Sequence, residues 1–204
     1  MRKVLMMMCM AAIVAFTVGC SSCKKQKVEE EVKAQPMVVE NVNSTDKEYM
    51  FTNYGGDYKW FESCILLNDY LDEECDGTVT GISNVFQVVE DGSKDVFVVL
   101  AAHTADTTAY DVRHGFWVED FPLETEEITL TFAEAFEKIN EVNYPKPHSK
   151  NCILRKPIGP NKCNPQYVFG NVSAQLWVDA ITGEVKTTSP AFPEAFKMPL
   201  GEWP

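Results

Sequence analysis

Three histidines are the first candidates for catalysis in this chain: His103, His114 and His148. A hydrolase would hold one of them beside a nucleophile and a carboxylate. The three lie in different predicted elements, and no serine or cysteine has the sequence pattern of a nucleophile elbow. We therefore predict a protein that is not an enzyme. A hydrolase that uses His103 or His114 with a nearby carboxylate or thiol is the alternative.

Four cysteines of the predicted domain form two pairs with the same spacing, Cys64 with Cys75 and Cys152 with Cys163. An exported protein can form disulfides, and four cysteines allow three connectivities. Eleven residues across a turn favour local bridges between the members of each pair. Bridges between the pairs, or four reduced thiols, are the alternatives.

Two other clusters have side chains that metals bind. Cys20 and Cys23 have the spacing of half a zinc site, but no second pair follows at ligand spacing. Five carboxylates that could bind calcium lie close together: Asp69, Asp72, Glu73, Glu74 and Asp76. They lack the ordered alternation of a calcium loop, which favours a solvated turn. We predict neither a metal nor another cofactor.

The first twenty residues have the pattern of an export signal. A basic start at Arg2 and Lys3 precedes an apolar run over residues 4–18. This run is shorter than the roughly 20 residues that a membrane-spanning helix needs. A cleaved signal peptide over residues 1–19 is therefore predicted.

The end of that run, Gly19-Cys20, resembles the lipobox of bacterial lipoproteins. The resemblance implies a diacylglyceryl anchor on Cys20, which becomes the first residue of the mature chain. Because Ser21 follows rather than Asp, it also implies the outer membrane, with the periplasmic or surface face left open. An ordinary signal peptide cleaved nearby is the alternative.

The charge of the chain excludes one class of partner. The formal net charge is −12, and loss of Arg2 and Lys3 makes the mature chain more negative still. Such a charge repels phosphate backbones, and no basic stripe with interleaved aromatic residues offsets it. Nucleic acid is therefore not an expected partner.

The N-terminal part of the mature chain divides into a tether and a β-rich half. Residues 20–48 are polar and charged, which is typical of a linker. Residues 49–123 are rich in strand patterns, including a hairpin around the hydrophilic break at 90–94. Residues 60–71 fit a strand or a helix. In the segment 110–121 the candidate inward positions are Tyr110, Val112, Phe116 and Val118.

The C-terminal half, residues 124–204, begins with the clearest helix, over residues 131–142. Thr131 and Glu134 form a capping box, in which each side chain bonds a backbone N–H of the first turn. Strands at 151–156 and 167–172 and a hairpin over residues 174–187 follow. A proline-rich tail ends the chain.

Trp177 in this hairpin alternates with Leu176 and Val178, so it lies on the opposite face of the strand. Leu176 and Val178 are predicted core residues. Trp177 is then either exposed, as a possible binding surface, or covered by another element.

Residues 130–188 resemble PepSY-type domains, small helix-plus-antiparallel-sheet modules of peptidase propeptides and bacterial envelope proteins. The segments that carry the likeness are residues 132–136 and residues 177–185. The resemblance implies an α+β fold with one main amphipathic helix, and binding of protein or peptide partners rather than catalysis. A lipid-anchored binding module is therefore our leading interpretation. A carbohydrate-binding lipoprotein that uses exposed aromatic residues is a further alternative.

Overall fold

The computed structural model describes residues 36–89 and 96–192. The predicted signal peptide, Cys20, Cys23, the turn at 90–94 and nearly all of the C-terminal tail therefore lie outside the described residues. The described part of the chain has two α-helices and nine strands. They are α1 (Val39–Tyr54), β1 (Tyr58–Leu67), β2 (Val79–Val89), β3 (Val96–Thr104), β4 (Thr108–His114), β5 (Asp120–Phe121), α2 (Phe132–Glu141), β6 (Asn151–Pro157), β7 (Gln166–Asn171), β8 (Ala174–Asp179) and β9 (Val185–Lys186).

All strand pairs are antiparallel, in the order β4-β3-β2-β1-β6-β7-β8-β9, and β5 pairs with the end of β6. The sheet therefore consists of two four-stranded meanders joined through their first strands, β1 and β6. A helix precedes each meander, α1 before β1 and α2 before β6. The α+β class and the antiparallel sheet are confirmed.

The C-terminal elements match their predictions closely. Helix α2 begins after Thr131, whose hydroxyl accepts a bond from the Glu134 N–H, while the Glu134 carboxylate accepts from the Thr131 N–H. Its buried face packs on β7 through an aromatic cluster of Phe132, Phe136 and Phe169, with ring centroids about 6 Å apart. Leu176 and Val178 are core residues, as expected.

Residues 60–67 belong to strand β1, which decides between the two alternatives for the segment 60–71. The side chains alternate between the two faces of the sheet after a bulge near Phe61. Ser63 bonds Asn43 of α1, whereas Glu62 and Cys64 lie on the opposite face. The hairpin of β2 and β3 around the predicted break is also present.

Helix α1 corrects the predicted tether, because residues 39–48 are part of the folded domain rather than of a linker. It also corrects the expectation of one main helix. Its buried residues are Val39, Asn43, Asp46 and Met50. Two of these four are polar, so the segment has the composition of a linker although it buries a continuous helical stripe.

The predicted inward face of the segment 110–121 is wrong for three of its four residues. Tyr110 is partly buried, but Val112, Phe116 and Val118 are exposed. Val112 is exposed because β4 is an edge strand of the sheet. Phe116 and Val118 are exposed because β4 ends at His114 and the chain then leaves the sheet edge. We call residues 115–121 the crossing segment.

Candidate functional site

The crossing segment runs over the face of the sheet that lies opposite the helices. The Gly115 N–H donates to the Val96 carbonyl of β3 at 2.9 Å, and the Trp117 N–H donates to Gln87 Oε1 of β2 at 2.8 Å. Asn84 points toward α1, so Gln87, three residues later, points to the other face. The segment ends as β5, which pairs with β6.

Three large apolar side chains of this segment face solvent. Phe116 is 69% exposed, Val118 is 74% exposed and Phe121 is 47% exposed. Half-buried Trp117 and buried Asp120 lie between them and hold the segment to the sheet. We call Phe116, Val118 and Phe121 the apolar row. Water that contacts such a row is released on docking, which favours association.

A buried polar cluster fastens the end of the segment to the sheet. Arg155 Nε of β6 donates to Asp120 Oδ1 at 2.6 Å, and Glu62 lies directly across from Arg155 on β1. The Cys64 thiol donates to Glu62 Oε1 at 2.9 Å. The cluster therefore joins both meanders and the crossing segment at one point.

The electrostatics of this cluster follow from its burial. The pKa of Glu62 is raised to about 6, mainly by loss of hydration. The neighbouring Asp120 carboxylate acts in the same direction, whereas the bond from Cys64 and the charge of Arg155 oppose it. Burial also raises the pKa of Asp120, although Arg155 favours its charged form. Two carboxyl groups with raised pKa could exchange a proton. Both are buried, so the cluster fits a structural fastening better than a substrate site.

Among the three histidines, and within the described residues, His103 is the one that contacts a carboxylate. Its Nε2 lies 2.8 Å from Asp46 Oδ1, and its Nδ1 lies 3.0 Å from the Thr108 hydroxyl. Asp46 is fully buried and also accepts bonds from Asn84 Nδ2 at 2.7 Å and from the Tyr110 hydroxyl at 2.9 Å. Burial and the Asp46 hydrogen bond raise the pKa of Tyr110.

This network has the residue types of a hydrolytic triad, but its geometry is that of a structural joint. Asp46 of α1 binds side chains from β2, β3 and β4, so all of its bonds fix the helix on the sheet. Sequence reasoning missed it because Asp46 was assigned to the tether. The four buried residues of α1 do have helical spacing, which was the available signal.

The other two histidines lie in different surroundings from His103. His114 is exposed at the end of β4, with its ring 4.5 Å from that of Phe97. His148 is exposed and stacks on Tyr70 at 4.1 Å. Within the described residues, neither of these two histidines contacts a carboxylate, so of the two residues named in the hydrolase alternative His103 has a carboxylate beside it and His114 does not.

The four cysteines of the described residues are thiols, and neither predicted local bridge is formed. Cys75 belongs to the main core beside the helices, whereas Cys64 points to the opposite face and contacts Glu62. Cys152 faces the core and Cys163 lies in the loop after β6. Burial raises the pKa of the Cys152 and Cys163 thiols, which disfavours their reactive thiolate forms.

Trp177 is only 7% exposed, so of the two alternatives the structure shows the covered one. The acidic run forms turns: Asp72 Oδ1 accepts the Glu74 and Cys75 N–H groups, and Asp76 Oδ1 accepts the Thr78 N–H. Within residues 36–89 and 96–192, no group of three or more potential ligands is placed to hold a metal ion.

A groove of ≈540 Å³ lies on the helix side of the molecule. The start of α1, the turn after Cys75 and helix α2 line it, with Met37, Phe136 and Asn140 among its residues. None of the three histidines lines this groove, so it offers no catalytic group of the predicted kind.

No family model matches the chain, and neither the curated proteins nor the solved structures include a significant match. In the part of the chain that the structure describes, no helix has the length and apolar character needed to span a bilayer. The apolar row and the two buried polar clusters are therefore interpreted from their own chemistry.

Proposed function

We propose that this protein is a lipid-anchored bacterial envelope protein whose α+β domain binds a protein or peptide partner without catalysis. The observation that carries the proposal is the apolar row, three large apolar side chains that are exposed on one short segment, although buried Asp120 fixes that segment to the sheet. Clustered apolar groups of this kind are common anchors at interfaces. The partner therefore presents an apolar surface to the crossing segment.

The anchor part of the proposal rests on the sequence. The basic start, the short apolar run and Gly19-Cys20 fit a lipoprotein signal, with Cys20 as the lipidated residue and the outer membrane as destination. Mass spectrometry of the mature N-terminus should find a diacylglyceryl group on Cys20. An unmodified Cys20 would remove the anchor from the proposal.

The PepSY-like interpretation is supported by the order of elements in the C-terminal half. Helix α2 is followed by four antiparallel strands, β6 to β9, and the turn before β9 contains the residues that carried the likeness. Asp179 Oδ1 accepts the N–H groups of Ile181 and Thr182 in that turn. The order of elements and this turn support the resemblance to PepSY-type domains, and that resemblance favours a binding role.

The test of the binding role compares two variants with equal loss of exposed apolar surface residues. F116S/V118S/F121S removes the apolar row, and F51S/I158S/V172S removes three exposed apolar residues elsewhere. The full-length proteins are captured from detergent-solubilised envelopes and the bound proteins quantified. We expect the first variant to capture about tenfold less of a specific protein partner than the wild-type protein does. The control variant should capture as much as the wild type.

Equal binding by both variants would contradict the proposed surface. Retention of glycans instead of proteins would favour the carbohydrate-binding alternative. With His103, the hydrolase alternative would require substrate to reach a side chain that is buried with both ring nitrogens engaged. With His114, which is exposed, it would require a carboxylate or thiol nearby.

A further inference from the structure

Strand β4 forms one edge of the sheet, and its backbone groups alternate in direction. The Thr104 N–H bonds the Thr107 carbonyl, and the Gly115 N–H bonds the Val96 carbonyl. In an antiparallel pair, hydrogen-bonded and non-hydrogen-bonded positions alternate. The backbone N–H and C=O groups of residues 109, 111 and 113 in β4 therefore bond to β3. Residues 108, 110, 112 and 114 therefore point their N–H and C=O groups outward.

No strand of residues 36–89 or 96–192 pairs with this outer edge. Six of the seven residues of β4 are exposed, and Val112 is 47% exposed. An open edge of this length can accept another strand, because each outward N–H and C=O group can bond across the new pair.

The charges on β4 limit which strand fits there. The Tyr110 side chain bonds Asp46 of α1, so it lies on the helix side of the sheet. Because side chains alternate along a strand, Asp111 and Arg113 lie on the opposite face. Two copies of β4 can pair antiparallel about a two-fold axis at several registers. An axis at residue 111 places Asp111 against Asp111, and an axis at residue 113 places Arg113 against Arg113.

An axis at Val112 gives a different result. It places Asp111 of each copy opposite Arg113 of the other copy, which gives two opposite-charge contacts. It also places Val112 opposite Val112, so that the N–H of each can bond the C=O of the other. Tyr110 then lies across from His114 of the second copy. Both the charge pattern and the backbone pattern are satisfied in this one register.

We propose that β4 is a self-association surface, through which a second copy of this chain pairs antiparallel with Val112 on the two-fold axis. The interface is isologous, so each copy presents the same strand and the assembly closes at two. It joins the two sheets into one continuous sheet through about six backbone hydrogen bonds. Self-association through β4 does not depend on the apolar row or on the lipid anchor.

Sedimentation equilibrium of the mature chain, with Cys20 replaced by Ser in every variant, tests this interface at concentrations up to about 200 µM. We expect a concentration-dependent dimer for the wild-type sequence. D111R places only arginines across the axis and R113D places only aspartates. Each should weaken the dimer about tenfold or more. Thermal unfolding should change little, because the Asp111–Arg113 ion pair that each variant removes within one chain is exposed.

Two matched controls distinguish pairing from a general charge effect. The swapped variant D111R/R113D restores both opposite-charge contacts, so it should form a dimer like the wild-type sequence. An equimolar mixture of D111R and R113D should form a mixed dimer that neither forms alone. A monomeric wild-type chain over the whole range, or single variants that associate as the wild type does, would overturn the proposal. The charges on β4 would then serve to prevent edge pairing.

Discussion

The two halves of the sheet share one order of elements but join their helices to it by different chemistry. In the C-terminal half, α2 packs on the sheet through the aromatic rings of Phe132, Phe136 and Phe169. In the N-terminal half, α1 is held by hydrogen bonds that converge on the buried Asp46 carboxylate. The same topology is therefore stabilised once by apolar packing and once by a polar network.

The halves also differ in what they expose. The N-terminal half ends in the seven-residue edge strand β4 and the crossing segment with its apolar row, whereas the C-terminal half ends in the two-residue strand β9. A short edge strand offers few groups for pairing. Both surfaces proposed for docking, the apolar row and the edge of β4, therefore lie in the N-terminal half.

The largest effect is expected from Phe169→Ala in the aromatic joint. Phe169 is fully buried against two rings of α2, so its truncation leaves a cavity and should lower the free energy of unfolding by about 4 kcal/mol. Denaturant unfolding measures the change, with Val172→Ala, at an exposed site close by, as the control. A loss no larger than that of the control would contradict the packing role of α2.

The polar joint should be nearly as sensitive. Asp46→Ala leaves Asn84, His103 and Tyr110 without their common acceptor, at a cost of about 3 kcal/mol. The same unfolding measurement on Asp106→Ala, an exposed aspartate of the β3–β4 turn, provides the comparison. If the two alanine variants are equally stable, α1 does not depend on this network.

A smaller effect is expected where the halves meet, at Glu62. Its pKa is raised to about 6 in the folded protein from 4.5, so protonation favours the folded state. The resulting stabilisation, about 2 kcal/mol, is complete below pH 4.5 and is lost as the pH rises through 6.

Glu62→Gln removes this titration while keeping the shape of the side chain. Relative to the wild-type protein, the variant should therefore gain stability as the pH rises from about 4 to 7.5. Chemical unfolding at both pH values measures the difference. A difference between the two proteins that does not change with pH would show that Glu62 ionises in the folded state as it does in water.

The outcome of sequence reasoning also differs between the halves. The capping box at Thr131, the apolar stripe of α2 and the strand–turn–strand pattern around Gly183 are local signals, and each led to the observed element. Helix α1 was missed because Asn43 and Asp46 are buried only through partners on distant strands. A polar residue whose partner is remote in sequence has the local appearance of a linker residue.

The surfaces were harder to predict for a related reason. Trp177 alternates with core residues, but whether its face is covered depends on tertiary packing that the strand does not encode. Phe116 and Val118 continue an apolar alternation, although the strand has already ended at His114. Periodicity thus located the strands but did not determine which of their faces meet solvent.

Photo-crosslinking in living cells tests the binding role most directly. A photoreactive phenylalanine analogue replaces Phe116 in the apolar row or, as the control, the fully exposed Val172 of the C-terminal half. The proposed function predicts a discrete adduct with another protein from position 116, weakened by V118S/F121S, and none from position 172. Absence of an adduct at 116, or the same adducts from both positions, would contradict a docking role for the apolar row.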